Sequence, residues 1–258
     1  MSEQARTARI VVPLPLDGDG PRFAPDSLKA MGVNCVELCP APTPLSEKGR
    51  EELQARLHEA HLTAAFVTSK PEGWALDTLR RAFELGDALE VEGVVTNAPP
   101  RDIDEQQAVG WLEKAVAIAK ANGIPLLIEN RPGTWADSSR SCLRYIDRAD
   151  PAWLGAAFDP AGFVALREHP FLLAFMSGHL KARSRLIRAR DAVFGDGRLV
   201  RINAGNAEIA ELVSAALARG FDGFFGVGGS AAELEDVQLE LGDFRELLDA
   251  LGLEGFVS

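Results

Sequence analysis

Apolar residues in this chain cluster in short runs that open at Ile10, Asn34, Thr63, Val91, Ile124, Leu154, Phe175 and Phe224. Between them lie longer stretches in which apolar positions recur with helical spacing. The clearest begins at Asn206: Ile209, Leu212, Val213, Ala216 and Leu217 fall on one helix face, and Arg219-Gly220 ends it. Asp104 opens another. Asp104 and Gln107 have capping-box spacing, Ala108, Leu112, Ala115 and Ala119 form the apolar stripe, and Gly123 suits a left-handed stop. A last stripe, Phe244, Leu247, Leu248 and Leu251, runs up to Gly252.

Eight strand candidates alternating with helices predict parallel βα units. In a chain of 258 residues this count predicts one α/β domain, a closed (β/α)8 barrel over 1–258. A doubly wound open sheet is the competing arrangement. No GxGxxG follows the first strand, so a dinucleotide fold loses its usual support and no nucleotide cofactor is expected. The Pro-rich piece Cys39-Pro40-Ala41-Pro42-Thr43-Pro44 reads as a strand-to-helix loop.

Composition narrows the partners. The net charge of −11 disfavours nucleic acid, whose binders present a basic face. No apolar run approaches the roughly 18 residues of a membrane span. Met1-Ser2-Glu3-Gln4-Ala5-Arg6 lacks the layout of a secretory signal, so the expectation is a cytoplasmic protein with no membrane partner. Cys35, Cys39 and Cys142 lack tight metal spacing, and Cys35 and Cys39, in or just after one apolar segment, read as small buried hydrophobes. The exposed helix faces of a barrel leave room for a homo-oligomer.

Three polar residues stand where predicted strands end. Glu129 closes the run from Ile124, Asp159 closes the run from Leu154, and His179 follows the run from Phe175. Strand ends form the catalytic face of a barrel. Two carboxylates and an imidazole on neighbouring strands make a candidate divalent-metal site, suited to Mn²⁺, Mg²⁺ or Co²⁺ and able to hold Zn²⁺. Such an ion would bind adjacent oxygens of a hydroxylated sugar and stabilise an enediolate. The structural alternative is that each acid caps a helix or pairs with a basic neighbour.

Two further features suggest an anionic ligand. Gly228, Gly229 and Ser230 precede a helix start, where backbone N–H groups favour an anion; Ser230 and Glu233 also fit a capping box. Lys181, Arg183, Arg185, Arg188 and Arg190 cluster after the predicted seventh strand, a local reversal of sign. Arg183 and Arg185 are the expected contacts to a phosphate or carboxylate. Glu37 and Asn97 end the second and fourth strands, and Arg131 and Trp135 follow the fifth; all four are candidate substrate contacts.

Several segments, in order, resemble the xylose-isomerase-like TIM-barrel superfamily, which includes sugar phosphate isomerases and epimerases. They are Ala30 to Leu38 ("LGxxxVEL"), Gly123 to Asn130 ("GVxLxxEN"), Leu154 to Gly162 ("vGxxxDxgH"), Gly178-His179-Leu180-Lys181 ("HxHxKD") and Gly220 to Phe224 ("GYDG"). The resemblance implies a single TIM barrel with metal ligands Glu, Asp, His and Glu on the last four strands. Glu129, Asp159 and His179 match the first three. The fourth Glu falls on Gly228, the sixth-strand His on Gly162 and the Asp after Lys on Ala182. In such epimerases the first and last Glu are the acid and base, so half of that machinery is missing here.

Two functions follow. One is a metal-assisted sugar isomerase, epimerase or related lyase. In it Glu129 would be base and ligand, Asp159 and His179 ligands, and Lys181 the stabiliser of the enediolate. The other is a non-catalytic or metal-independent sugar-phosphate-binding barrel that has lost the fourth ligand. In both the partner is a small sugar or sugar acid.

Overall fold

A computed structural model describes residues 8–18, 20–40, 45–69, 74–176, 180–229 and 233–253. Eight parallel strands close into a barrel: β1 (Arg9–Asp17), β3 (Cys35–Cys39), β4 (Thr63–Ser69), β5 (Gly93–Asn97), β6 (Leu126–Glu129), β7 (Leu154–Phe158), β8 (Ser184–Arg188) and β11 (Phe224–Gly226). β11 pairs with β1, Ile10 opposite Phe225, which shuts the barrel. A two-residue strand, β2 (Gly20–Pro21), folds back antiparallel on the end of β1, and β9 (Asp191–Ala192) pairs with β10 (Leu199–Val200) outside the barrel.

The helices follow the strands in the expected alternation: α1 (Pro25–Ala30), α2 (Glu47–Glu59), α3 (Leu76–Ala88), α4 (Glu105–Asn122), α5 (Ser139–Ile146), α6 (Pro160–Val164), α7 (Leu180–Arg183), α8 (Ile209–Ala218) and α9 (Leu234–Ala250). Asp104 caps α4 by accepting from the Gln106 and Gln107 amides, and Gly123 ends it at φ 68°. Those two residues do what their types predict. At α9 the capping box lies three residues beyond the one read from the sequence: Glu233 is the N-cap and Asp236 its partner. Among the described residues no helix is long and apolar enough to cross a membrane.

Seven of the eight predicted strands lie where the apolar runs placed them; the seventh does not. Pro170–Met176 forms a π-helix, and the strand that pairs with β7 is Ser184–Arg188. Pro170, Ala174 and Phe175 are buried while Leu172 and Leu173 are 57% and 52% exposed. That is helical periodicity, and a continuous apolar run does not itself distinguish helix from strand. The true strand is disguised because its inward positions are Ser184, Leu186 and Arg188, a sequence no apolar scan selects.

Inward side chains fill the barrel. Val11, Ala65, Phe66, Val95, Leu127, Ala157, Leu186 and Phe224 form one buried cluster. Phe66 meets Phe224 edge-on at 5.2 Å, and the Arg9 guanidinium lies 3.8 Å from the Phe224 ring centre on the side where β1 begins. Burying each phenyl contributes roughly 1.5–3 kcal/mol. This floor of hydrocarbon supports whatever the strand ends carry above it.

Candidate functional site at the barrel mouth

The position one turn of pleat above the apolar floor is filled by an arginine. Arg188 closes β8 and reaches across the barrel to Glu37 on β3 and Glu129 on β6. Its Nη2 donates to Glu37 Oε1 at 2.7 Å and its Nη1 to Glu37 Oε2; its Nε donates to Glu129 Oε2 at 2.8 Å. Thr68 on β4 donates its hydroxyl to Glu37. The side chains of Arg188, Glu37 and Glu129 are all at least 91% buried. Burial opposes the charge on Arg188, but Glu129 and Glu37 outweigh it and hold the guanidinium protonated more firmly than usual.

A second arginine lies above the first. Arg190 Nη2 donates to Asp159 Oδ2 and, at 3.3 Å, to Glu129 Oε1. Its side chain keeps 20% exposure, the most open member of the group, and among the described residues its buried Nε has no partner. Asp159 and Glu129 raise the Arg190 pKa against the opposing effect of burial. Asp159 is shifted upward, chiefly by burial, with Arg190 opposing and the charge of Glu129 adding.

The backbone around Asp159 is fixed by Asn130. Asp159 N–H donates to Asn130 Oδ1 at 2.7 Å, and Asn130 Nδ2 donates to the Asp159 carbonyl at 2.8 Å. Asp159 is also the N-cap of α6, accepting from the Ala161 amide at 3.2 Å. Gly162 permits this clamp, since a Cβ there would come 2.8 Å from Asn130 Nδ2. The histidine that the family motif places at this position would displace Asn130.

Two glycines, at the end of β11 and just beyond it, shape this side of the mouth. A Cβ at Gly226 would lie 3.1 Å from Arg188 Nη1. At Gly228, φ is 101° and a Cβ would meet Pro13 Cδ at 2.9 Å. A fourth carboxylate at this position is therefore opposed by the local backbone as well as absent by residue type.

These residues do not fit a divalent ion. The carboxylates of Glu129 and Asp159 already carry two permanently charged guanidinium groups, and Coulomb repulsion would oppose a further cation between them. Among the described residues no group of three His, Cys, Asp or Glu is disposed to hold a metal. The three-ligand expectation rested on a seventh strand ending at 178; the side chain that β8 brings to Glu129 is Arg188. His179 and Ser230 lie outside the described residues.

Other expected contacts fall elsewhere. Lys181 is exposed on α7, which leads into the start of β8, at the end of the barrel away from the mouth. Arg183 also sits at that end, where its Nη2 donates to the carbonyls of Ile146 (2.7 Å), Ala149 (3.0 Å) and Leu154 (2.9 Å). Arg185 is exposed and points to the Pro151 and Ala152 carbonyls. Lys181, Arg183 and Arg185 therefore do not line the mouth: a strand beginning at 184 puts them at its entry.

Asn97 is half-buried beside Glu129 in register, Arg131 is exposed in the loop after β6, and Gly229 is half-buried beyond β11. Trp135 is turned aside. Arg101 covers its ring at 4.7 Å, and the ring lines a crevice between α4 and α5.

The residues that sequence reading under-used are Arg188, Arg190 and Asp191. Their signal is the alternation Ser184, Leu186, Arg188, Arg190, and the string Arg188-Ala189-Arg190-Asp191 has the spacing of "HxKD" with guanidinium groups for imidazole and ammonium. The acid thought lost at Ala182 is Asp191. It is buried and accepts from the amides of Ala192, Gly205 and Ala207 at 2.8, 2.9 and 2.8 Å, which fixes the segment after β8.

Comparison with solved structures extends this picture. A xylose isomerase domain protein from Planctomyces limnophilus superposes with a TM-score of 0.79 at 14% identity, covering 95% of this chain and 98% of that one. The 3-keto-D-glucoside 4-epimerase of E. coli gives 0.72 at 14% identity, covering 93% and 100%. A xylose isomerase-like TIM barrel protein from Mycobacterium smegmatis, in complex with magnesium, gives 0.68 at 16% identity, covering 97% and 100%. No curated protein matches the sequence. The family model described as xylose isomerase-like TIM barrel matches residues 25–254, and with the closed eight-stranded barrel this makes the chain a member of that family.

Proposed function

We propose that this barrel binds a small hydroxylated, anionic sugar or sugar acid at its mouth without a divalent ion, Arg190 supplying the positive charge. The observation that carries this reading is the pair of guanidinium groups seated on Glu129 and Asp159. Arg190 keeps 20% of its side chain exposed, which leaves part of its guanidinium to meet a carboxylate or phosphate oxygen. Arg188 is enclosed and acts beneath it as a fixed charge. Asn97 and Arg131, at neighbouring strand ends, are the further contacts we assign to the ligand. Cys35, Cys39 and Cys142 form no disulfide, which suits the reducing cytoplasm in which we place the protein.

Metal-assisted isomerisation through an enediolate is the reading we set second. It would need Glu129 as base, and a carboxylate held by two guanidinium groups is a weak proton acceptor. Similarity to a sugar epimerase supports a sugar ligand and does not extend to that mechanism.

The test begins with metal content of the purified protein, with Glu129→Ala as control. We expect no stoichiometric divalent ion in either. About one equivalent, lost in the variant, would overturn the proposal. Thermal stabilisation by fructose 6-phosphate or glucuronate should exceed that by neutral fructose, and Arg190→Gln should remove the difference.

A further inference from the structure

A second crevice, of about 690 Å³, opens between α3 and α4 on the outer face of the barrel. That volume falls in the range of small-molecule sites. Both helices start on the mouth side, since each follows a strand that ends there. The α4 wall is one helix face: Gln107, Gly110, Trp111 and Lys114 stand at i, i+3, i+4 and i+7. The opposite wall is the first turn of α3 and Arg80.

Folding alone does not call for two of these residues. Glycine is the poorest helix former after proline, yet Gly110 stands inside α4. A Cβ there would meet nothing within 4 Å, so packing does not demand a glycine; its effect is to leave the crevice open. Trp74, at the entry to α3, has φ 53°, a left-handed conformation unfavourable for a bulky residue. Trp111 helps to hold it, donating from Nε1 to the Trp74 carbonyl at 2.8 Å. Both indoles line the crevice, Trp111 buried and Trp74 half-buried.

The charge of the crevice favours an anion. The N-cap of α3 is Ala75, which offers no side-chain cap to the amides of the first turn. Asp77 in that turn is paired with Arg80. Lys114 is exposed and, among the described residues, has no ion partner. Uncapped amides and an unpaired ammonium suit a negative group. The indoles and the bare backbone at Gly110 suit a flat ring.

We propose that this crevice binds a small aromatic carboxylate, its ring against Trp74 and Gly110 and its carboxylate between Lys114 and the start of α3. The site is separate from the mouth, and the proposal stands whatever the mouth binds.

Calorimetric titration with indole-3-acetate and with neutral indole-3-acetamide tests it. Gly110→Leu fills the crevice from a position with open space and should weaken indole-3-acetate by about tenfold or more. Its thermal midpoint should stay at or above that of the parent, because leucine is the better helix former. Lys114→Gln should weaken indole-3-acetate about two- to fivefold, the scale of an exposed charge pair, and leave indole-3-acetamide unchanged. Trp74→Leu gives a second arm should Gly110→Leu fold poorly, and both probes should weaken in it. No binding of indole-3-acetate to the parent, or equal affinity in the parent and a folded Gly110→Leu, would overturn the site. Unchanged affinity for both probes in Trp74→Leu would overturn the place of the ring. Equal losses of both probes in Lys114→Gln would overturn the place of the carboxylate.

Discussion

Two adjacent layers of the barrel interior solve the same problem with opposite chemistry. The lower layer, from Val11 and Phe66 to Leu186 and Phe224, is hydrocarbon and gains from leaving water. The upper layer places Glu37, Glu129 and Asp159 around Arg188 and Arg190 at comparable burial. There the desolvation cost is large and is offset only because each charge has a partner. The lower layer tolerates approximate complementarity. The upper layer tolerates no missing member, which suits a place where charges must be held ready for a ligand.

Arg188→Ala should give the largest break between the layers. It leaves Glu37 without its ion partner, and we expect a loss of about 3–5 kcal/mol in chemical denaturation. Arg188→Met combined with Glu37→Leu should recover most of that loss, since the cost lies in the stranded charge. Phe66→Ala in the lower layer should cost a similar 3–5 kcal/mol, but through a cavity, and no polar companion substitution should rescue it. Equal rescue in both layers would contradict the distinction.

Gly228→Glu sharpens the comparison from the side of the missing ligand. Strain at positive φ and the approach to Pro13 should cost about 1–3 kcal/mol, and the variant should take up no Mn²⁺ by equilibrium dialysis. Stoichiometric uptake would show that the arginines yield to a metal when a fourth carboxylate is present.

The smallest effect concerns an ion pair outside both layers. Burial pushes the Asp137 carboxyl up, but the Arg101 guanidinium and the hydrogen bonds from Ser141 and Ser138 outweigh it and hold the pKa at about 2. A depressed folded-state pKa contributes stability that is present above the ordinary value near 3.8 and is lost as pH falls toward 2. Asp137→Asn should remove that acid-limb dependence, a change of under about 1 kcal/mol for a pair at the protein surface whose arginine is partly screened by water. Parallel acid-unfolding curves for parent and variant would contradict it.

Much of this was legible in the chain. The α4 cap at Asp104 and stop at Gly123, the strand at Thr63–Ser69, and the Glu129 and Asp159 strand ends all follow from local residue type and period. The seventh strand was not, because its apolar content was exchanged for a charge while the preceding π-helix kept an apolar run. Misplacing that strand moved the basic cluster by one element. Arg183 and Arg185 were then expected at the mouth in place of Arg188 and Arg190, later members of the same cluster.

By itself the sequence determined the alternation of strands and helices, hence the barrel, and which carboxylates stand at its mouth. Side-chain period and capping are local, and a single chain displays them. Only the tertiary structure decided what neutralises those carboxylates. Arg188 meets Glu37 across 151 positions and Glu129 across 59, and Arg190 meets Asp159 across 31. Closure of the barrel brings these groups together, and electrostatics in a buried place then assigns their partners by distance, which spacing along the chain does not encode.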